Sequence, residues 1–471
     1  MKTFFKNVSY SLFSNVSNML LGIVAVLVFP KFIGIDGYGY YQLFIFYSSI
    51  IIMTALGWGE GYYLQIGGKK YSELDKSQES AHFWMMTIIQ TVIYSLILLF
   101  ILLASEESDK RLVYILACVW AFGSNPRYFL KLVLQATNSI RKYSVVTITE
   151  RLISIVLTFV LICFGYRDYV MLLVLEVIGR YVSLAFAVYF CRDAIFIKPK
   201  FTWERIKEIR GFIISGFMVL FASLSSTLII GIVRLGIENY WSITEFSKVS
   251  LTISISNLAL QCINAIAVVM FPTLRRMQAD RQREIYPAIN TLLMVLIFAA
   301  LIFYNPAAKI LALWLPKYSD SIKYAAILLP MCVYECKNAV LVVTYIKTLR
   351  CEKILLWSNL IALIASCVCT GIFIYGLHSI ELAMLSIFVV LMLRCNISEH
   401  WLNNGTLKLN LWKDTILEMS MCVIFIISNW YMGAIGVMLY IICFAGYLLV
   451  GKRHDLTSAF QLLCRKQDAN G

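Results

Sequence analysis

Arg127 and Lys131 stand four residues apart, just after Pro126, in a stretch that is otherwise largely apolar. Residues so spaced share one helical face, where like charges repel. An anion seated between them removes the repulsion, and a pyrophosphate suits because guanidinium and ammonium groups both bind phosphate oxygens. Lys131 also sits close enough to the end of its stretch to reach a polar surface along its own stem. Glu176 and Arg180 are likewise four apart but opposite in sign. They read either as a self-neutralised pair or as a protonatable carboxylate used for ion coupling, with Glu60 a second such carboxylate. Arg394 meets no opposite charge until Glu399, which makes it a further anion candidate. Glu335 and Lys337 are two apart and do not face each other, so each needs a partner elsewhere.

A second pattern is uncharged. Ser247, Ser250, Ser254, Asn257, Gln261 and Asn264 follow one another at intervals of three or four among Leu, Ile, Val and Ala. That spacing puts them on a single face of a helix. In lipid such a stripe faces protein or an aqueous cavity. It predicts the wall of an interior path, the alternative being interhelical hydrogen bonding. Asn15 and Asn18, with Ser11 and Ser14, add polar groups to the first apolar stretch and join the same candidate pathway.

The elements that must position these residues are membrane spans. The 471 residues are 60% hydrophobic and only 14% charged, whereas soluble domains are nearer a quarter charged. Apolar stretches long enough to cross a bilayer fall at 10–31, 40–62, 83–104, 112–135, 145–166, 169–191, 212–234, 247–271, 288–304, 322–345, 354–376, 379–401, 415–430 and 432–450. The expectation is an all-α integral membrane protein of about fourteen helices, the last two short enough to be read also as a re-entrant pair. With the N-terminus inside, Lys and Arg concentrate in the inward loops, for example Lys198, Lys200, Arg205, Lys207 and Arg210, so both termini are expected in the cytoplasm. The net charge of +14 is therefore topology and not a nucleic-acid footprint. No loop has room for a soluble catalytic domain. The connection from Arg192 to Gly211 reads as a surface helix held to anionic lipid. The 13 cysteines form no metal-ligand pattern, and the 4 histidines form no metal array, so neither metal nor cofactor is expected. The apolar stretch after Lys2 and Lys6 reads as a retained span and not a cleaved leader.

Weak internal matches share one offset. Gly34-Ile35-Asp36-Gly37-Tyr38 is echoed by Gly236-Ile237-Glu238-Asn239-Tyr240 about 202 residues later, and Pro126 by Pro330 about 204 residues later. The expected organisation is a six-helix lobe over 1–200, a second over 201–405, related by a pseudo-two-fold axis along the membrane normal, and two further helices with a tail over 406–471.

The stretch from Phe29 to Tyr41, with its Gly34, Tyr38-Gly39 and following tyrosines, resembles the first loop of the O-antigen and capsule flippases of the multidrug, oligosaccharidyl-lipid and polysaccharide exporter superfamily. Met270-Phe271-Pro272-Thr273-Leu274, and Leu313-Trp314-Leu315-Pro316-Lys317-Tyr318 through Pro330, are similar to later marks of that group. The resemblance implies a transporter and not an enzyme. It implies alternating access that carries an undecaprenyl pyrophosphate-linked oligosaccharide from the cytoplasmic to the outer leaflet of the bacterial inner membrane. Its partners would be that glycan, membrane lipids and polysaccharide assembly proteins. This chain departs from the more cationic members in having no mid-membrane Arg in its first span and none before Arg234 in its seventh, which turns the expected pyrophosphate contact toward Arg127, Arg180, Arg394 and Lys131. A drug or small-solute exporter of the same superfamily is the alternative reading, and a membrane polysaccharide polymerase or ligase a more distant one.

Overall fold

A computed structural model of the chain describes residues 2–103, 108–199, 203–275, 279–349, 351, 353–453 and 455–457. These residues are helical almost throughout, with no strand among them. The helices are α1 (Lys2–Ile33), α2 (Ile35–Ile51), α3 (Trp58–Ile66), α4 (Lys76–Leu103), α5 (Ser108–Ala136), α6 (Ile140–Cys163), α7 (Tyr169–Ile195), α8 (Trp203–Tyr240) and α9 (Ile243–Arg275). They continue with α10 (Ala279–Leu301), α11 (Tyr304–Trp314), α12 (Ser319–Leu328), α13 (Met331–Cys336), α14 (Val343–Thr348), α15 (Lys353–Thr370), α16 (Ile380–Leu402), α17 (Trp412–Tyr431) and α18 (Gly433–Gly446).

Each expected span has a helical counterpart, but fewer are uniformly apolar. Among the described residues seven helices are long and apolar enough to cross a bilayer, or up to nine if each of two bent pairs is one span. The outward faces fit lipid as solvent. On α4, Leu96, Leu99, Phe100 and Leu103 are all more than half exposed, a face that water would penalise and hydrocarbon does not.

Two expected spans are broken. The second bends by 61° between Ala55 and Trp58, where Leu56 and Gly57 take left-handed backbone conformations (φ 52° and 81°). The tenth bends by 48° at Leu329 and Pro330, because proline supplies no N–H to the preceding turn. A π-helical turn, Lys337–Val342, follows between α13 and α14. Pro126 produces no such break in α5. Gly34 ends α1 with φ 84°, whereas its echo Gly236 lies inside α8 against Thr370 and Ile374. The matched positions of the two halves thus differ locally. The basic segment before Gly211 is not a separate surface helix: from Trp203 onward it is the first part of α8, since one glycine costs a helix only about 1 kcal/mol.

The chain divides into two compact units, Met1–Leu224 and Ser225–Gly471. In the first, α7 packs on α5 and α6, α2 and α4 pack on α5, and α1 packs on α6. An aromatic core holds its α3 end, with Tyr62 stacked on Phe129 at 5.2 Å and edge-on to Phe212 at 5.4 Å. Small residues permit this approach. A Cβ built on Gly61 would lie 2.1 Å from the Phe212 carbonyl oxygen, and one on Gly216 would lie 1.9 Å from that of Gly57. We expect Gly216→Val to force α3 from α8 at a cost of about 1–3 kcal/mol, read as a lower thermal midpoint. Gly211→Ala, which meets open space inside α8, is expected to raise the midpoint slightly, since alanine is the better helix former. In the second unit α15 packs on α16, α12 on α9 and α16, and α17 on α18. The α17–α18 turn contains Gly433 at φ 52°, and Gly436 sits hard against the Ser428 carbonyl, so the last two helices form a close hairpin.

Candidate functional site

In the first unit the charged residues converge on one carboxylate. Arg127 of α5 and Arg180 of α7 both reach Glu150 of α6, the first at 2.6 Å from Oε2 and the second at 2.5 Å from Oε1. Arg127 Nε also donates to Ser183 Oγ at 2.6 Å, and its Nη2 to the Val146 carbonyl at 3.2 Å. The Arg180 guanidinium lies 3.8 Å from the Trp120 ring centre. Both arginines are buried. Two guanidiniums on one carboxylate leave the three contacting side chains with a net positive charge in a low-dielectric interior, where charge is costly unless matched.

Neighbouring carboxylates are held by tyrosines. Tyr41 donates to Glu176 at 3.1 Å, and Tyr128 to Glu60 at 2.9 Å. Glu176 is therefore not the ion-pair partner of Arg180, despite the spacing that suggested it. The i,i+4 relation sets only Cβ proximity, and Glu150 on the neighbouring helix wins because it bridges both arginines at once. Lys131 is half-buried, its ammonium 5.4 Å from the Tyr128 ring centre and 5.8 Å from that of Tyr143. Glu150 is the residue that spacing missed. Its signal was being the carboxylate of the next span, which no local pattern connects to Arg127.

Arg394 of α16 is matched one to one. Its Nη2 lies 2.6 Å from Glu335 Oε1, and Nη1 donates to Ser226 Oγ at 2.8 Å. It carries no surplus charge and is the weaker anion candidate. Lys337 meets Glu399 and Glu418, each at 2.8 Å. Glu335 and Lys337 thus take separate partners, as their spacing required.

The polar stripe on α9 is divided. Ser247 and Ser250 are buried. Arg234 Nη2 donates to Ser250 Oγ at 2.9 Å, so this end ties α9 to α8 and is not an open wall. Ser254 is half-buried and Asn257 exposed. The side chains of Gln261, Asn264, Asn15 and Asn18 lie outside those described. Behind the stripe, Leu251, Thr252 and Ile255 line an apolar cavity of about 420 Å³ with residues of α10 to α13. In a cysteine-free background, Ser254→Cys and Asn257→Cys are expected to react with a charged, membrane-impermeant thiol reagent and Ser250→Cys to resist it. Ile255→Cys is expected to react only with an apolar reagent. Equal labelling at all four positions would remove the stripe from the pathway.

Among the described residues no group of three or more His, Cys, Asp or Glu could hold a metal ion. Buried ion clusters on apolar helices, broken spans and a hairpin of short terminal helices define a multi-pass membrane transporter fold. Solved structures agree. The lipid II flippase MurJ, in an inward closed conformation, matches with a TM-score of 0.67 at 12% identity over 96% of this chain and 99% of that one. An inward-facing multidrug resistance MATE family transporter of the MOP superfamily matches with 0.67 at 14% identity over 82% and 94%. The MATE transporter VcmN of Vibrio cholerae gives 0.55 at 15% identity over 87% and 98%. The polysaccharide biosynthesis protein family model matches residues 4–278, and the chain belongs to that family. A search of curated proteins finds no match.

Proposed function

We propose that this protein is a flippase that moves an undecaprenyl pyrophosphate-linked oligosaccharide, an O-antigen or capsule repeat unit, from the cytoplasmic to the outer leaflet of the bacterial inner membrane. The observation that carries the reading is the surplus cation of the Arg127–Glu150–Arg180 cluster. One carboxylate neutralises one arginine, and the remaining positive charge in a dry interior is matched by an anionic group of the substrate. Lys131 adds a second cation a turn away on α5, and Glu60 and Glu176, which accept from tyrosine hydroxyls, make no direct ion pair with either arginine. The membership in a polysaccharide biosynthesis family and the likeness to a lipid II flippase support a lipid-linked glycan as cargo. The polyprenyl tail of the cargo remains in lipid.

The mechanism asks for modest, reversible affinity. An anion entering beside Arg127 competes with Glu150 and does not find a bare pair of guanidiniums, so binding is moderated and release remains possible. Arg127→Gln leaves Arg180 and Glu150 as a neutral pair. It is expected to keep the protein folded and to lower export at least tenfold at equal protein level. The reading itself is tested in cells by deleting the gene and locating the lipid-linked oligosaccharide. Accumulation on the cytoplasmic leaflet supports it, and accumulation on the outer leaflet overturns it.

A further inference from the structure

The second unit holds a cluster of opposite imbalance, which the proposed transport site does not use. Lys337 Nζ lies 2.8 Å from Glu399 Oε2 and 2.8 Å from Glu418 Oε2. Tyr286 donates to Glu399 Oε1 at 2.8 Å, and Asn290 Nδ2 to Glu418 Oε1 at 3.0 Å. All three ion-pairing side chains are nearly inaccessible. One ammonium for two carboxylates leaves a net charge of −1 when all are ionised.

The surrounding groups do not supply the missing positive charge. Among the described residues Tyr334, Cys395, Cys422 and Tyr447 lie close to the cluster and are neutral in their ordinary protonation states, while His400, next to Glu399, turns its ring to Asn404. Lys452 is committed to Asp414 at 2.6 Å and Asp455 at 3.0 Å. Arg394, next to Cys395, is committed to Glu335. Leaving a dry cluster with an unmatched charge is costly, and a carboxylate in that position neutralises by taking up a proton.

We propose that Glu418, which shares the single Lys337 ammonium with Glu399, is an exchangeable proton-binding site. Two features of the geometry favour a proton over a metal cation. Asn290 Oδ1 is buried with no hydrogen-bond partner. Turning that amide over, a change that leaves its shape intact, sets the oxygen to accept from a protonated Glu418 Oε1. The carboxylate oxygens are already contacted by Lys337, Tyr286 and Asn290, which crowds out the six or more oxygen ligands that a hard cation such as calcium collects. The cluster also borders open space: Glu399 lines a cavity of about 380 Å³, with Asn396, His400, Asn403 and Thr415 among mainly apolar neighbours such as Leu393, Trp401 and Trp412. Loss of the proton leaves both carboxylates ionised against a single ammonium.

Infrared difference spectroscopy on the purified full chain tests this, comparing mildly acidic with alkaline buffer. The wild type is expected to show a protonated-carboxyl stretch that disappears in alkali. Glu418→Gln and Glu399→Gln, which keep the shape of the cluster, are each expected to abolish that component, and Glu381→Gln on the exposed end of α16 to retain it. Thermal midpoints give a second readout. A folded state that holds one more proton than the unfolded chain loses stability as pH rises, so the wild type declines toward alkali and Glu418→Gln flattens the decline. A band that persists unchanged in both cluster variants overturns the proposal. So does a pH-insensitive spectrum that responds instead to exchanging potassium for sodium.

Discussion

Glu150→Ala is expected to cost about 3–5 kcal/mol, because it leaves two buried guanidiniums facing each other with no carboxylate between them. Arg127 and Arg180 both lie within 2.6 Å of that side chain, and neither can turn out to water without giving up its packing. The cost falls on the first unit, where α5, α6 and α7 meet at this residue. The asymmetry of the cluster supplies the control. Removing Arg127 leaves a matched pair, so Arg127→Gln is expected to melt closer to the wild type than Glu150→Ala does. The double variant should recover part of the loss, a coupling that a double-mutant cycle reads directly. Thermal or denaturant unfolding of the purified protein provides the measurement. Additive losses would show that the three side chains do not act as one unit.

The second large effect has the opposite sign of charge. Lys337→Met places Glu399 and Glu418 side by side in a dry interior, again at a cost of about 3–5 kcal/mol. Here the imbalance grows from one negative charge to two, and proton uptake partly relieves it. The variant is therefore expected to be least stable in alkaline buffer and to recover toward acid, since the folded state then binds more protons than the unfolded chain. Replacing all three residues by Met, Gln and Gln removes every charge and is expected to restore stability. Failure of that triple variant to fold would show that the cluster positions the helices through hydrogen bonds more than through charge.

The membrane class and the all-helical fold were legible in the sequence because hydropathy and span length answer to the solvent alone, although among the described residues only seven to nine of the expected spans are long and apolar enough to cross a bilayer. The breaks within the segments were less so. Neither bend was read from the sequence: Pro330 breaks its helix whereas Pro126 does not, and Gly57 packs against Gly216 of a distant helix, a contact no local pattern announces. The same limit governed the ions. Spacing set Arg127 beside Lys131, left Arg394 without a near partner and kept Glu335 from Lys337, but it put Arg180 with Glu176, where the structure has Glu150. It could not say that Glu150 serves two arginines, or that Glu418, in the first of the two additional C-terminal helices, completes the pairing of Lys337. The stripe on α9 shows a third case. Periodicity placed its residues on one face, yet only packing decided that Ser250 binds Arg234 while Asn257 stays accessible.

Movement of a lipid-linked glycan across a bilayer is read in proteoliposomes containing the purified protein and undecaprenyl pyrophosphate-linked oligosaccharide, by following the fraction of glycan accessible to an impermeant glycan-modifying reagent. Protein-dependent transfer between leaflets, reduced at least tenfold by Arg127→Gln, is expected. Folded protein that leaves the glycan on its original leaflet across the candidate repeat units would rule out a flippase.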